Sequence, residues 1–300
     1  MSELPGQKGL TVERLRAFCD IVEAGSVVAA ARKTGIGQDQ YSRQIRALER
    51  AVGAKLFFKE GRFLRPTREG IRLAAVTRAY FDALGEIAGK GPDKPTRIGA
   101  SDAIMRWMLI PRYAEILNAV GAIKVENHRT REIIDAVLNS EVDLGIIRAD
   151  AATMEFEVEA FPALTYALAV PRALLPEKSA SAILNVRDLP FVSIDGDGAF
   201  VRAVTGLFTQ HDLPVRIVGR VESFSLAVEL AKSFPAATIV PKQAMAEFPS
   251  ETFAQVALEG MAKLDRPLAV ICNKQAVLLS STLRRNAARL ARLFSGSQRS

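Results

Sequence analysis

The chain has 300 residues, 49% hydrophobic and 24% charged, with a formal net charge of +7. No run approaches the 18 apolar residues of a membrane-spanning helix. Neither of the two cysteines has the neighbours or spacing of a zinc site, and their sparse use fits a reducing cytosol. The start, MSELPGQKGL, lacks the apolar core of a secretory signal.

The positive excess is uneven. Residues 1–90 hold 16 Lys and Arg against 10 Asp and Glu, a net of +6, while residues 91–300 hold 24 against 23. Such asymmetry is expected when a nucleic-acid module is joined to something else.

In chain order, residues 10–24 predict a helix with Leu15, Phe18, Cys19 and Val22 on one face. Ser26 then reads as an N-cap for an Ala-rich helix that stops at Gly35, a residue suited to a left-handed helix end. After a turn at Ile36, Gly37 and Gln38, a further helix places Tyr41, Ile45, Leu48 and Val52 on a buried stripe. Asp39, Arg43, Arg46 and Arg50 project from its other side, with Ser42 on the flank. Two short helices about a Gly-containing turn, the second with bare arginines, form a helix-turn-helix. The same residues alone would also describe a plain helical hairpin with a solvated face; the concentration of charge here favours DNA. Lys55–Phe58 and Arg62–Arg65 read as two short strands around Glu60-Gly61, a wing with Lys59, Arg62 and Arg65 placed to meet phosphates. From Pro66-Thr67 a long helix runs to about Ala88, with Leu73, Val76, Tyr80, Leu84 and Ile87 as a coiled-coil-like seam. That seam needs a partner, either its twin in a dimer or its own domain.

Gly89–Pro95 is a turn-rich hinge, after which short apolar runs alternate with helices. Strands are expected at 96–100, 123–126, 143–147, 164–170, 191–194, 216–221, 237–240 and 267–272, with helices near 104–118 and 131–140. This βαβ alternation predicts mostly parallel sheet flanked by helices.

The order helix, helix-turn-helix, wing and long helix carries a dense set of shared residues. They are Arg16-Ala17-Phe18, Glu23-Ala24-Gly25-Ser26, Ala29-Ala30-Ala31, Ser42-Arg43-Gln44-Ile45, Leu48-Glu49, Leu56-Phe57 and Pro66-Thr67-x-x-Gly70. This pattern resembles the LysR-type transcriptional regulators, densely over residues 10–72 and more thinly beyond. Three features depart from it. Gly37-Gln38-Asp39-Gln40-Tyr41 replaces the usual Ser-Gln-Pro-Ala-Leu, Val27 replaces an aromatic, and Ser233–Ala237 replaces a glycine-rich turn.

The resemblance implies an α/β chain with an N-terminal all-α winged helix-turn-helix at 1–68 and a linker, dimerisation helix and hinge at 69–95. A two-lobed α/β effector domain like a periplasmic binding protein would occupy 96–300, with lobe I at 96–163 and 271–300 and lobe II at 171–264. By position, Gln38, Asp39, Ser42 and Arg43 would approach base edges, and Arg46, Arg50, Arg62 and Arg65 would hold phosphates.

A cleft in such sheets lies beyond the C-terminal ends of strands. That rule selects Ser101, Asp102, Thr130 and Arg148 from one lobe and Asp195, Glu222 and Ser223 from the other. Each also suits simple helix capping or a turn. Arg148 and Arg131 would favour a carboxylate, whereas Asp102 and Glu222 oppose a strongly anionic ligand. The implied partners are double-stranded DNA, a small-molecule co-inducer, a second copy of the chain in a homodimer or homotetramer, and RNA polymerase; no membrane, metal or cofactor is expected. His128 and His211 lie far apart in sequence, and no nucleophile or phosphate-loop signature accompanies them, so the chain reads as a cytoplasmic regulator and not an enzyme. The competing reading is a small-molecule-binding protein or enzyme whose N-terminal helices only mediate assembly.

Overall fold

The computed structural model describes residues 9–60, 63–88, 95–175, 188–195 and 198–295. At the N-terminus, α1 (Val12–Ala24), α2 (Val27–Thr34) and α3 (Gln38–Val52) close on one core. Ser26 caps α2 by accepting the Ala29 N–H at 3.1 Å. Gly35 ends the helix in the left-handed region, which glycine enters without steric cost. Phe18, Ile21, Tyr41, Leu48 and Leu56 are wholly buried. Two details differ from the sequence reading. Ile21 rather than Val22 is central in α1, because α1 packs against both α3 and α4 and so buries a wider face. Val52 is exposed and Ala51 buried, because the chain at Gly9 lies directly over Ala51.

The wing comprises antiparallel β1 (Phe57–Glu60) and β2 (Phe63–Pro66), with Phe58 opposite Arg65. The first strand starts two residues later than expected because Lys55 and Leu56 are engaged elsewhere. Glu49 accepts the Leu56 N–H at 2.9 Å and the Lys55 ammonium at 3.0 Å, tying the wing to the end of α3. The long helix α4 (Arg68–Ile87) is capped by Thr67. The Thr67 hydroxyl accepts the Gly70 N–H at 3.0 Å. It also donates to the Lys55 carbonyl at 2.7 Å. One side of α4 buries Ala74, Thr77 and Ala79 against its own chain, and the other leaves Val76, Tyr80, Leu84 and Ile87 exposed. The expected seam is therefore divided: its last four members face outward, and Leu73 packs on the N-terminal core.

The C-terminal part holds two five-stranded sheets. The first runs β4 (Ile123–Asn127), β3 (Thr96–Ala100), β5 (Leu144–Arg148), β12 (Arg266–Asn273), β6 (Phe156–Leu164). In it β3, β4 and β5 are parallel, and β12 is antiparallel to β5 and β6. The second runs β11 (Phe253–Val256), β7 (Tyr166–Pro171), β10 (Ala237–Pro241), β8 (Leu189–Ile194), β9 (Val215–Val221), with the last three parallel. Helices α7 (Thr130–Leu138), α8 (Ala199–Gln210) and α9 (Phe224–Ser233) flank them, and α10 (Lys274–Leu279) and α11 (Ser281–Ser295) close the chain. The fold is thus a helix-turn-helix unit joined to a two-lobed α/β domain.

Two strands escape a periodicity reading. Edge strand β6 buries only Phe156, Phe161 and Leu164 and leaves Val158 and Ala160 exposed between two half-buried glutamates, so it has no period-2 apolar face, and four-residue β11 is too short to register. The single strand expected at 164–170 is two, broken at Thr165 where the chain passes from one sheet to the other. The helix expected at 104–118 is also broken. One α-turn, α5 (Asp102–Ile104), widens into a π-type segment at Met105–Leu109 and tightens at Ile110–Arg112 before α6 (Tyr113–Val120). Pro111, which cannot donate to the helix ladder, lies where that change occurs.

Candidate nucleic-acid interface and ligand cleft

Helix α3 presents Gln38, Asp39, Arg43, Arg46 and Arg50 as exposed side chains, with Ser42 half-buried beside them. Three arginines lean along the helix: Nε of Arg43 approaches the Asp39 carbonyl at 3.4 Å, Arg46 that of Ser42 at 3.2 Å, and Arg50 that of Arg46 at 3.3 Å. They form one cationic stripe whose Arg43-to-Arg50 rise is about 10 Å. Asp39 lies in the first turn, where its charge favours the helix dipole. Arg65 on β2 is exposed, and Arg62 lies outside the described residues.

What aims this stripe is Tyr41, which the sequence marks only as apolar. Its ring is fully buried while its hydroxyl meets Asp20 Oδ2 of α1 at 3.0 Å and Thr34 Oγ1 of α2 at 2.9 Å. One side chain therefore fixes α3 against both preceding helices. Tyr41→Phe should destabilise the N-terminal unit by about 1–2 kcal/mol, because it strips a partner from two other polar groups. Amide exchange across α1 to α3 of the purified variant measures this, and unchanged protection there would show that the hydroxyl does not tie α3 to the preceding helices. Glu49 is the other positioning group sequence reasoning passed over; it belongs to the shared Leu48-Glu49 pair but carries no signal of its task until the wing is seen folded.

In lobe I, Ser101 and Asp102 follow β3, Thr130 opens α7 after β4, and Arg148 ends β5, so all four share one end of the parallel strands. In lobe II, Asp195 follows β8 and Glu222 and Ser223 follow β9, again at the strands' C-terminal ends. The two ends meet: Ser225 Oγ of α9 donates to Asp102 Oδ2 at 2.7 Å. Ser223 is a helix cap, accepting the Leu226 N–H at 3.3 Å, whereas Ser101 caps α5 with no side-chain bond to it. Thr130 is not the cap of α7; that position is Arg129, whose N–H donates to Glu132 at 2.8 Å. Arg148 pairs with Asp150 at 3.4 Å, and Asp195 and Glu222 are exposed.

The structure adds groups the strand-end rule did not find. Tyr166, Phe200 and Phe224 pack together with ring centroids 4.7 to 5.5 Å apart, at the start of β7 and the first turns of α8 and α9. The Arg266 guanidinium lies over the Phe200 ring, 5.8 Å from its centre. At that range the cation is attracted to the ring face. Burial pushes the Tyr166 phenol well above its ordinary range, so it acts there as a neutral group. A second bridge between lobes joins Arg106 and Trp107 to Glu247, with Arg106 Nη2 at 2.7 Å, Arg106 Nε at 3.1 Å and the Trp107 indole N–H at 2.6 Å. An aromatic cluster with Arg266 beside it thus lies at the strand ends of lobe II, and polar bridges and a shared apolar core join the two lobes. Both cysteines are buried, and burial pushes the Cys272 thiol up to about 12. No helix among the described residues is long and apolar enough to cross a membrane.

Two family models match this chain: "Bacterial regulatory helix-turn-helix protein, lysR family" over residues 12–71 and "LysR substrate binding domain" over residues 89–292. A small neutral protease regulatory protein of Streptomyces coelicolor is 35% identical over 107 residues, 33% of this chain and 33% of that protein. The match therefore spans only about a third of that relative, and 31% and 26% of two others. The HTH-type transcriptional regulator TcbR of a Pseudomonas species is 25% identical over 262 residues, 81% of this chain and 87% of TcbR. Full-length OxyR from Pseudomonas aeruginosa has the same fold, with a TM-score of 0.70 at 16% identity over 97% of this chain and 98% of that one.

Proposed function

The chain belongs to the LysR family, and from that premise we propose that it is a sequence-specific DNA-binding transcriptional regulator whose C-terminal cleft binds a small-molecule effector. The observation that carries this reading is the exposed cationic stripe on α3, fixed by Tyr41 and flanked by the wing. Residues 1–68 would bind DNA, 69–95 would link and dimerise, and 96–300 would receive the effector. The exposed row Val76, Tyr80, Leu84 and Ile87 supports pairing of α4 with a second copy, since an apolar helix face of this length is stable in water only when covered. A dimer would place two recognition helices on half-sites about 34–36 Å apart or a multiple of that. Dimers could assemble into tetramers and contact RNA polymerase in the cytoplasm.

Within the interface, Gln38, Asp39, Ser42 and Arg43 would read bases, and Arg46, Arg50, Arg62 and Arg65 would neutralise phosphates. Ser101, Asp102, Thr130, Arg148, Asp195, Glu222 and Ser223 would line the effector cleft, with Tyr166, Phe200 and Phe224 as its apolar wall. An effector that binds one arrangement of the lobes better than another would shift the placement of the DNA-binding pairs.

The test is a footprint on a site selected from a random DNA library, repeated across a salt series. Two protected half-sites in helical register, lost steeply as salt rises, are expected. Arg43→Ala should weaken that site by about 1–3 kcal/mol and relax preference at one position. Arg46→Ala should instead weaken all sequences and reduce the salt slope by about 1. Selection that enriches no sequence would overturn the DNA-binding reading, and equal losses from both variants on specific and random DNA would overturn the division of roles.

A further inference from the structure

Among the described residues one buried side-chain atom has no hydrogen-bond partner, Nε of Arg78 in α4. The other end of that guanidinium is engaged: Nη1 donates to the Ser140 carbonyl at 2.7 Å. Arg97 of β3 donates Nη2 to the same oxygen at 3.0 Å. Asp143 grips Arg97 through Nη2 at 2.6 Å and Nε at 3.3 Å, and also accepts the Arg97 N–H at 2.8 Å. Ser140, in the turn between α7 and β5, has a left-handed backbone with positive φ, which is uncommon for serine. Burial lowers the Arg78 pKa and Arg97 adds to that, while Glu23 of α1 and Asp143 oppose it.

Two guanidiniums sharing one carbonyl, with a donor left over, are a poor way to gain stability, since an apolar side chain of similar volume would avoid the desolvation. The position is more telling. The junction is where α1, the linker helix and lobe I meet. Besides α10, which also packs on α4, three lobe I elements lead from this junction to a cleft residue: β3 carries Arg97 and is followed by Ser101, α7 begins at Thr130 and ends before the Ser140 turn, and β5 follows Asp143 and ends at Arg148. A nine-residue helix and five-residue strands are rigid connections about 13–17 Å long.

We propose that Arg78 is a positioning residue that docks the linker helix, and with it the DNA-binding helices, on the base of lobe I, so that movements of β3, α7 and β5 at the cleft reach α4 through the Ser140 turn. The coupling rests on the regulator reading above, but the docking does not.

The docking is tested in the full chain with spin labels at Glu13→Cys in α1 and Asn118→Cys in α6, both exposed positions. Cys19 and Cys272 are buried, so labelling falls on the introduced thiols. Dilution with unlabelled chain restricts the readout to distances within one chain. Arg78→Met keeps the volume but removes the charge and donors, and should at least double the width of the distance distribution. Arg78→Lys, which retains a donor for Ser140, should stay near the parent width. An unchanged distribution in Arg78→Met would overturn the docking. On a library-selected site, Arg78→Met should alter the spacing of protected half-sites while changing affinity for a single half-site less than twofold. Unaltered spacing would overturn the coupling. If the parent chain selects no DNA, the regulator reading fails while the distance result still decides the docking.

Discussion

Gly70→Ala should disable the N-terminal unit, with a loss of about 3 kcal/mol in its stability, although alanine is the better helix former. Gly70 lies in the first turn of α4, and a Cβ there would sit 2.2 Å from the Leu56 carbonyl oxygen, 3.1 Å from its carbon and 3.3 Å from Pro66 Cβ. These neighbours cannot yield. Leu56 is wholly buried, its N–H is tied to Glu49, and its carbonyl accepts the Thr67 N–H at 2.9 Å. Propensity alone predicts a gain of about 1 kcal/mol, so the sign of the result separates the two effects. Because the chain has several units, a single melting temperature is a poor reporter. Amide exchange resolves the point: protection should fall across α1 to α3 and the wing while β5 and β12 keep theirs. The proposed sequence-specific DNA binding should fall in parallel. A variant with unchanged or greater protection in α1 to α3 would mean that the helix start does not press on the wing.

The same glycine shows what was legible beforehand. Pro66-Thr67-x-x-Gly70 could be quoted as part of a pattern, yet its reason, a helix turn laid against a carbonyl fourteen residues earlier, exists only in three dimensions. Helix starts and stops at Ser26, Gly35 and Thr67 were readable because capping is local chemistry between residues a few positions apart. So was the exposed stripe on α3, which follows from the roughly 100° step of a helix. The candidate cleft was readable only through topology. Strand ends point to Ser101, Thr130 and Ser223 by topology, but Tyr166, Phe200 and Phe224 come from three separate elements and look like ordinary core aromatics until packed. The bridge from Arg106 and Trp107 to Glu247 joins residues some 140 apart in the chain, a separation that carries no sequence signal at all.

That bridge makes the second large prediction, because the single tryptophan of the chain is part of it. Glu247→Ala leaves the Trp107 indole N–H and the Arg106 guanidinium without the carboxylate that receives both, and Trp107 is only 8% exposed. Hydrogen bonds to a charged acceptor contribute about 1.5–3 kcal/mol, and the partial exposure of Arg106 places the expected loss near the lower end, about 2 kcal/mol. The π-type turn at Met105–Leu109 would lose the contact that sets two neighbouring side chains on one acceptor. Tryptophan emission should shift to the red as the lobes part. The effect has a pH signature in the parent protein. Burial raises the Glu247 pKa, but hydrogen bonds from Arg106 and Trp107 and the charge of Arg106 outweigh it, and the group ends below the usual carboxylate value. A lowered folded-state pKa means the contribution is complete above the ordinary carboxylate range and is lost as pH falls through the lowered value. The red shift of the parent should therefore appear in acid, with a midpoint below that of an ordinary glutamate, and should be absent from the Glu247→Ala titration. If the variant emits as the parent does at neutral pH, the carboxylate does not hold the lobes together. The apolar core shared by the two lobes and the Asp102–Ser225 hydrogen bond would then hold the junction without it.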